Sequence, residues 1–259
     1  MTPPDTAHPA GSIALSSTAG SDAWLVPVDH RWELDLGTLP NDPAPAMHTG
    51  TDLVRSAALA IADRGGGDLR LWVRGPDEVR TAIAEAAGMA VGREIVQMRR
   101  PLPVDEPWEL EVRPFEVGVD EAAWLEVNNR AFAWHPEQSD LTLDDLHRRE
   151  AEPWFDPAGF LLHEDDGRLV GFCWTKVHPQ EDPPLGEIYV IAVDPSEHNH
   201  GLGRRLVLAG LDHLHRRGLT VGMLWVEADN EPALRLYRDL GFTLADRDRA
   251  YDLPVEGLR

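Results

Sequence analysis

Apolar positions along the chain alternate with polar ones in some stretches and recur at helical spacing in others. Short alternating or β-branched runs at 13–17, 24–28 and 32–36 predict three strands. A Pro-rich loop at 39–47 leads to a helical pattern near 50–63. A strand at 68–73, a helix at 76–87 and a strand at 94–100 follow, and the Pro-punctuated segment 101–107 reads as a linker. The second half predicts a strand at 108–114, helices at 119–133 and 142–151, and strands at 159–164, 168–177 and 186–194. A helix at 202–217, a strand at 219–226, a helix at 231–240 and a strand at 246–253 complete it. This order predicts an α/β (α+β) fold with a mixed sheet flanked by helices. The expected division is a disordered Pro/Ala/Thr-rich terminus at 1–11, one domain at 12–100 and a second at 108–259.

The two halves repeat. Shifting the chain by 153 residues brings Leu71-Trp72-Val73 onto Leu224-Trp225-Val226, Gly88-Met89 onto Gly241-Phe242, Leu53-Val54 onto Leu206-Val207 and Gly50 onto Gly203. The first copy lacks the polar chemistry of the second. His48 stands for Gly201, Thr51 for Arg204, Asp52 for Arg205 and Ala84 for Tyr237. A carboxylate at Asp52 would repel an anion bound there, so the first half reads as a degenerate, truncated scaffold.

Lys and Arg number 24 against 45 Asp and Glu, a formal charge of −21. That balance argues against nucleic acid and anionic membranes as partners, both of which need basic patches. It leaves room for a local cradle that binds a small anionic ligand. Cys173, the single cysteine, lies in the alternating run 169–174 and reads as a strand residue; no intrachain disulfide can form. No apolar run reaches the ~20 residues of a membrane span. MTPPDTAHPAG lacks the basic and apolar parts of a signal peptide. The expectation is a cytoplasmic protein, monomeric, acting on small molecules.

The densest chemistry lies at 185–242. The apolar run Ile188–Val193 ends at Asp194-Pro195, and a polar loop leads through Gly201-Leu202-Gly203 into an amphipathic helix. A strand feeding a glycine turn at a helix N-terminus can cradle a pyrophosphate, because backbone N–H groups converge where no side chain intrudes. A second strand, Glu227-Ala228-Asp229-Asn230, and a helix carrying Tyr237 and closing at Gly241-Phe242 complete the unit. The histidines His198, His200, His213 and His215 do not make a metal site. His213 and His215 are two apart on a helix and face different ways, and neither cysteine nor carboxylate stands at zinc spacing. No metal is expected.

This order resembles the acyl-CoA-binding half of the GCN5-related N-acetyltransferases. Their loop usually reads Gln/Arg-x-x-Gly-x-Gly/Ala; here it is His198-Asn199-His200-Gly201-Leu202-Gly203. Longer segments resemble one of their families, the mycothiol synthases. They are Val127-Asn128-Asn129-Arg130-Ala131-Phe132, His135-Pro136-Glu137-Gln138, Glu152-Pro153-Trp154-Phe155-Asp156-Pro157, Gly171 to His178, Tyr189-Val190, Val226-Glu227-Ala228-Asp229-Asn230 and Ala250-Tyr251. The resemblance implies two tandem acetyltransferase domains, the first degenerate, each with a mostly antiparallel mixed sheet. It implies transfer of acetyl from acetyl-CoA to the cysteine amine of a cysteinyl-glucosaminyl-inositol.

The resemblance also implies roles. Glu187, opening the central strand, is the general base, and Tyr237 is the general acid. A phenol of pKa ~10 suits a leaving thiol of comparable pKa. Backbone groups at Ile191, Ala192 and Val193 hold the thioester and pantetheine. His198, Asn199, His200, Gly201, Leu202, Gly203 and Arg204 hold the pyrophosphate, and Asn230, Ala233 and Arg235 the cofactor arm. Glu137, Lys176, Glu187 and Trp225 contact the acceptor. Two departures stand out: His198 takes a place usually held by a basic residue or glutamine, and Trp225 one usually held by tyrosine. They leave open an acetyltransferase for a different amine. A non-catalytic acetyl-CoA sensor is the other alternative, against which the retained Glu187 and Tyr237 argue.

Overall fold

The computed structural model describes residues 9–17, 21–28, 30–133, 140–197 and 200–258. Residues 1–8 of the expected disordered terminus lie outside them. The chain forms two compact units. One comprises Met1–Val96, Glu227–Asp229 and Asp246–Arg259; the other comprises Gln97–Val226 and Asn230–Ala245.

In the first unit, β1 (Ile13–Ser16), β2 (Asp22–Val28) and β3 (Arg31–Asp35) form an antiparallel meander. β3 pairs in parallel with β4 (Gly66–Val73) after the crossing helix α1 (Pro43–Ala62). α2 (Glu78–Ala86) and the start of β5 (Ala90–Pro101) follow. Leu25, Leu53, Ile61, Leu69, Leu71, Ile83 and Tyr251 form the core.

Two expectations change in this unit. Part of the Pro-rich loop at 39–47 is helix, because Pro43 and Pro45 fall in the first turn of α1, where backbone N–H groups have no intrahelical acceptor to lose. The positions matching the glycine loop, His48 to Asp52, therefore lie inside α1 and not at a helix N-terminus. Gly50 serves packing instead: a Cβ there would sit 2.3 Å from Ile83 Cδ1 of α2. The last strand, β11 (Thr243–Glu256), belongs from Asp246 onward to the first unit, whereas the sequence reading placed it with the second half. It pairs antiparallel with β4 from Arg249↔Val73 to Glu256↔Gly66. Arg70 grips Asp252 through two hydrogen bonds of 2.7 and 2.8 Å.

In the second unit the strand order is β10 (Val221–Glu227), β9 (Leu185–Val193), β8 (Arg168–His178), β7 (Phe160–Asp165) and β6 (Arg113–Pro114). All pairs are antiparallel except β9–β10, which are parallel and joined through α5 (Leu202–Arg216). β6 is far shorter than the predicted 108–114, since only Arg113-Pro114 pair with β7. α3 (Glu121–Ala131), α4 (Leu143–Glu150) and α6 (Glu231–Asp239) complete the unit. Thr142 and Asp145 close a reciprocal capping box on α4.

Trp124 of α3 is fully buried and meets Phe160, Phe172 and Trp174 edge-on at 5.4–5.9 Å. α5 packs closely on the opposite side of β8 and β9. A Cβ at Gly210 would lie 2.5 Å from Cys173 Sγ and 2.7 Å from Ile188 Cδ1. Burial pushes the Cys173 thiol up to about 12, which removes it as a nucleophile at neutral pH. At the 153-residue shift, α2 falls residue for residue on α6, and the first residues of β5 and β11 coincide.

Candidate active site

β9 carries the site because its two neighbours treat it differently along its length. The β9–β10 ladder runs from Leu185↔Val221 to Ile188↔Leu224, and both strands continue past its end. On the other edge β8 follows β9 as far as Gly171↔Val193, with a register slip that leaves Tyr189 as the extra residue between Val190 and Ile188. Glu187 and Lys176 are direct cross-strand partners, so their side chains share a face.

Glu187 is buried, with 9% of its side chain exposed, and its Oε2 lies 2.7 Å from His178 Nε2. Lys176 Nζ sits 4.3 Å from the Trp154 ring centroid and 5.2 Å from that of Tyr189. The structure thus brings Glu187 and Lys176 together and adds His178, Trp154 and Tyr189 to them. His178 had a sequence signal: it stands two residues past Lys176, and period-two alternation puts both on one face. The predicted strand ended one residue short of it.

Glu137, His198 and Asn199 lie outside the described residues. Of the remaining loop, Gly201 is the N-cap of α5 at φ 71°, a left-handed conformation natural to glycine, with open space where a Cβ would be. Among the described residues no side chain caps α5, so the positive end of the helix and its first-turn N–H groups suit an anion. Gly203 is helical, and a Cβ there would touch Val193 Cγ2 at an ordinary 3.8 Å; the protein itself does not require glycine at that position. Leu202 points inward against Gly171, and His200 is exposed, its carbonyl 3.4 Å from Arg205 Nη2. The Arg204 guanidinium binds Glu106 bidentately at 2.7 and 2.6 Å. What Arg204 offers the loop in this arrangement is its backbone N–H.

Asn230 caps α6 by accepting the Ala233 N–H at 3.2 Å, so both residues are committed to the helix start, while Arg235 is exposed. Trp225 is half-buried, one residue past the last β9–β10 ladder pair. Tyr237 is 8% exposed and edge-on to Phe242 at 5.8 Å. Burial raises its phenol well above the ordinary value, so it keeps its proton.

Asp194 is a residue that sequence reasoning missed. It is 4% exposed and takes Arg130 from α3 at 2.7 and 3.0 Å and both the N–H and hydroxyl of Ser196. Burial alone would raise its carboxyl; the Ser196 N–H, then Arg130 and the Ser196 hydroxyl, outweigh that and hold it at about 2. This knot anchors the end of β9 and the entry to the loop. Elsewhere, Glu121, His147 and Glu150 bring one potential ligand atom each within 4.8 Å, a group the sequence reading did not consider. Burial pushes the Glu150 carboxyl up, and Glu121 adds to the push. Among the described residues no helix is long and apolar enough to cross a membrane.

The acetyltransferase (GNAT) family model matches residues 119–242. The mycothiol acetyltransferase of Thermomonospora curvata is 53% identical over 206 residues, 77% of this chain and 68% of that protein. That of Kocuria rhizophila is 47% identical over 248 residues, 90% of this chain and 82% of that one. The chain belongs to the mycothiol acetyltransferase family. Among solved structures, a GCN5-related N-acetyltransferase from Sphaerobacter thermophilus matches with TM-score 0.72 at 22% identity, over 95% of this chain and 82% of that one. A tandem GNAT protein from the clavulanic acid biosynthesis pathway matches with TM-score 0.61 at 16% identity, over 97% and 86%. The tandem acetyltransferase fold expected from the repeat is therefore the fold of this member of the mycothiol acetyltransferase family.

Proposed function

We propose that this chain acetylates the cysteine amine of cysteinyl-glucosaminyl-inositol, the last step in making mycothiol, with acetyl-CoA as donor. The observation that carries the reading is the place of Glu187. It is a buried carboxylate one residue before the β9–β10 ladder ends, on the face that holds Lys176 and two aromatic rings. Kinship to relatives named mycothiol acetyltransferase supports the choice of acceptor.

The residues fit the donor. Gly201 and the uncapped N-terminus of α5 would hold the pyrophosphate, with the N–H groups of Leu202, Gly203 and Arg204. Backbone groups of Ile191, Ala192 and Val193 would pair with the pantetheine arm along β9. Acetyl-CoA, when bound, supplies the acetyl thioester. Glu187 takes a proton from the amine, and the electron pair left on nitrogen attacks directly; the buried Cys173 thiol offers no covalent detour. Tyr237 would give its proton to the leaving sulfur, although burial raises its phenol and makes it a weaker acid than the free phenol that matches a thiol. Lys176, Glu137 and Trp225 hold the hydroxyl-rich part of the acceptor, whose remote binding energy speeds the reaction. The working groups lie in the unit formed by Gln97–Val226 and Asn230–Ala245, and the first half is a scaffold, in a cytoplasmic monomer.

The test is acetyl-CoA turnover with a panel of amines, read by thiol release and product mass. Cysteinyl-glucosaminyl-inositol should exceed free cysteine in kcat/KM by at least about 10²-fold, since a site built to hydrogen-bond hydroxyls penalises their loss. Comparable values for free cysteine or simple amines would leave an acetyltransferase for another amine.

A further inference from the structure

The hydrogen bond between His178 and Glu187 gives the base a partner of its own. His178 ends β8, paired with Leu185, and reaches diagonally along the sheet to Glu187, whose own cross-strand partner is Lys176. The His178 side chain is 28% exposed and that of Glu187 9%. An ionised carboxylate can only accept, so Nε2 carries the proton and donates it to Oε2. The other charged and titratable groups on this face are engaged differently. Lys176 of β8 lies over the Trp154 and Tyr189 rings. Tyr189 of β9 is raised by burial, and the charges of Arg149, Glu187 and Glu152, near the end of α4 and on β9, act on it.

We propose that His178 is a positioning residue for acetyl transfer: its Nε2–H fixes Oε2 of Glu187 and leaves Oε1 as the basic atom. The inference rests on the reading of Glu187 as the base. In the reacting step the amine proton passes to Oε1, the nitrogen keeps the electron pair that forms the new N–C bond, and the thioester C–S bond breaks with its electron pair leaving on the CoA sulfur, which takes the Tyr237 proton. His178 neither gains nor loses a proton. The hydrogen bond restricts the rotation of the Glu187 carboxylate.

The experiment measures kcat and KM for His178→Ala, His178→Gln, Glu187→Gln and the Ala/Gln double variant, with thermal melts alongside. His178→Ala should lower kcat about tenfold, with acetyl-CoA KM within about twofold. His178→Gln, which still donates an N–H, should recover most of the loss. In the Glu187→Gln background His178→Ala should cost almost nothing more, because the two act as one unit. If His178→Ala fails to fold, His178→Phe keeps the ring and drops the donor. No recovery in His178→Gln, or a full additional loss in the Glu187→Gln background, overturns the proposal. Undiminished turnover in Glu187→Gln itself sinks the reading of the base, and the inference with it.

Discussion

Glu187 on β9 and Asp194, the residue just past its end, illustrate what burial does to a carboxylate when the partners differ. Glu187 meets the edge of an imidazole; Asp194 meets a guanidinium, a backbone N–H and a hydroxyl. Glu187→Gln keeps the shape and removes the carboxylate proposed as the base. Turnover should fall roughly 10²-fold or more with acetyl-CoA binding little changed, checked by steady-state rates and calorimetry. Tyr237→Phe removes only a hydroxyl and should cut kcat while the melting curve holds; a near-normal rate would mean the thiolate leaves through another donor. Asp194 bears on stability. Its folded pKa of about 2 lies below the ordinary unfolded value of about 3.9. Its contribution is therefore complete above about pH 4 and is lost as pH falls toward 2. Asp194→Asn should cost about 2–3 kcal/mol at pH 7 and flatten the acid limb between pH 4 and 2, read by urea unfolding across that range.

At the scale of elements, α1 and α5 contrast as two helices of one repeat with different uses for glycine. Gly201 supplies φ 71° with open space beside it. Gly201→Ala should cost about 1 kcal/mol of backbone strain, without a clash, and weaken acetyl-CoA binding. Gly50 lies in the helical backbone of α1 and packs against Ile83. Gly50→Ala should destabilise by about 1–3 kcal/mol through overpacking, with the acetyl-CoA KM unmoved. Measuring stability and KM for both variants separates the roles; a raised KM in Gly50→Ala would mean that α1 retains a cofactor function. That His48 and Asp52 replace Gly201 and Arg205 was legible in the sequence. The replacement of the loop by helix was not, because prolines that usually signal a loop are harmless in a first helical turn.

At the scale of the whole chain, one acetyl-CoA should bind, since the first copy lacks the helix N-terminus, the loop glycine and the tyrosine of the second. Titration calorimetry giving two equivalent sites per chain would overturn the view of the first half as scaffold.

The chain order of strands and helices, the repeat and the chemistry-bearing strand β9 were all determined by the sequence itself. Periodicity, Gly-Pro punctuation and internal similarity act over a few residues or over one fixed shift, and they survive without knowledge of contacts. Tertiary structure alone decided which strand β11 joins, because any strand with a suitable face can pair with several edges and only packing selects one. It likewise decided the partners of the polar groups. Arg204 meets Glu106 across 98 residues and Arg130 meets Asp194 across 64. Asn230 turns its amide to its own helix, and His178 reaches Glu187 only because β8 and β9 pair in one register. A buried polar group must find a partner, and the identity of that partner is a property of the folded geometry, to which local sequence holds no key.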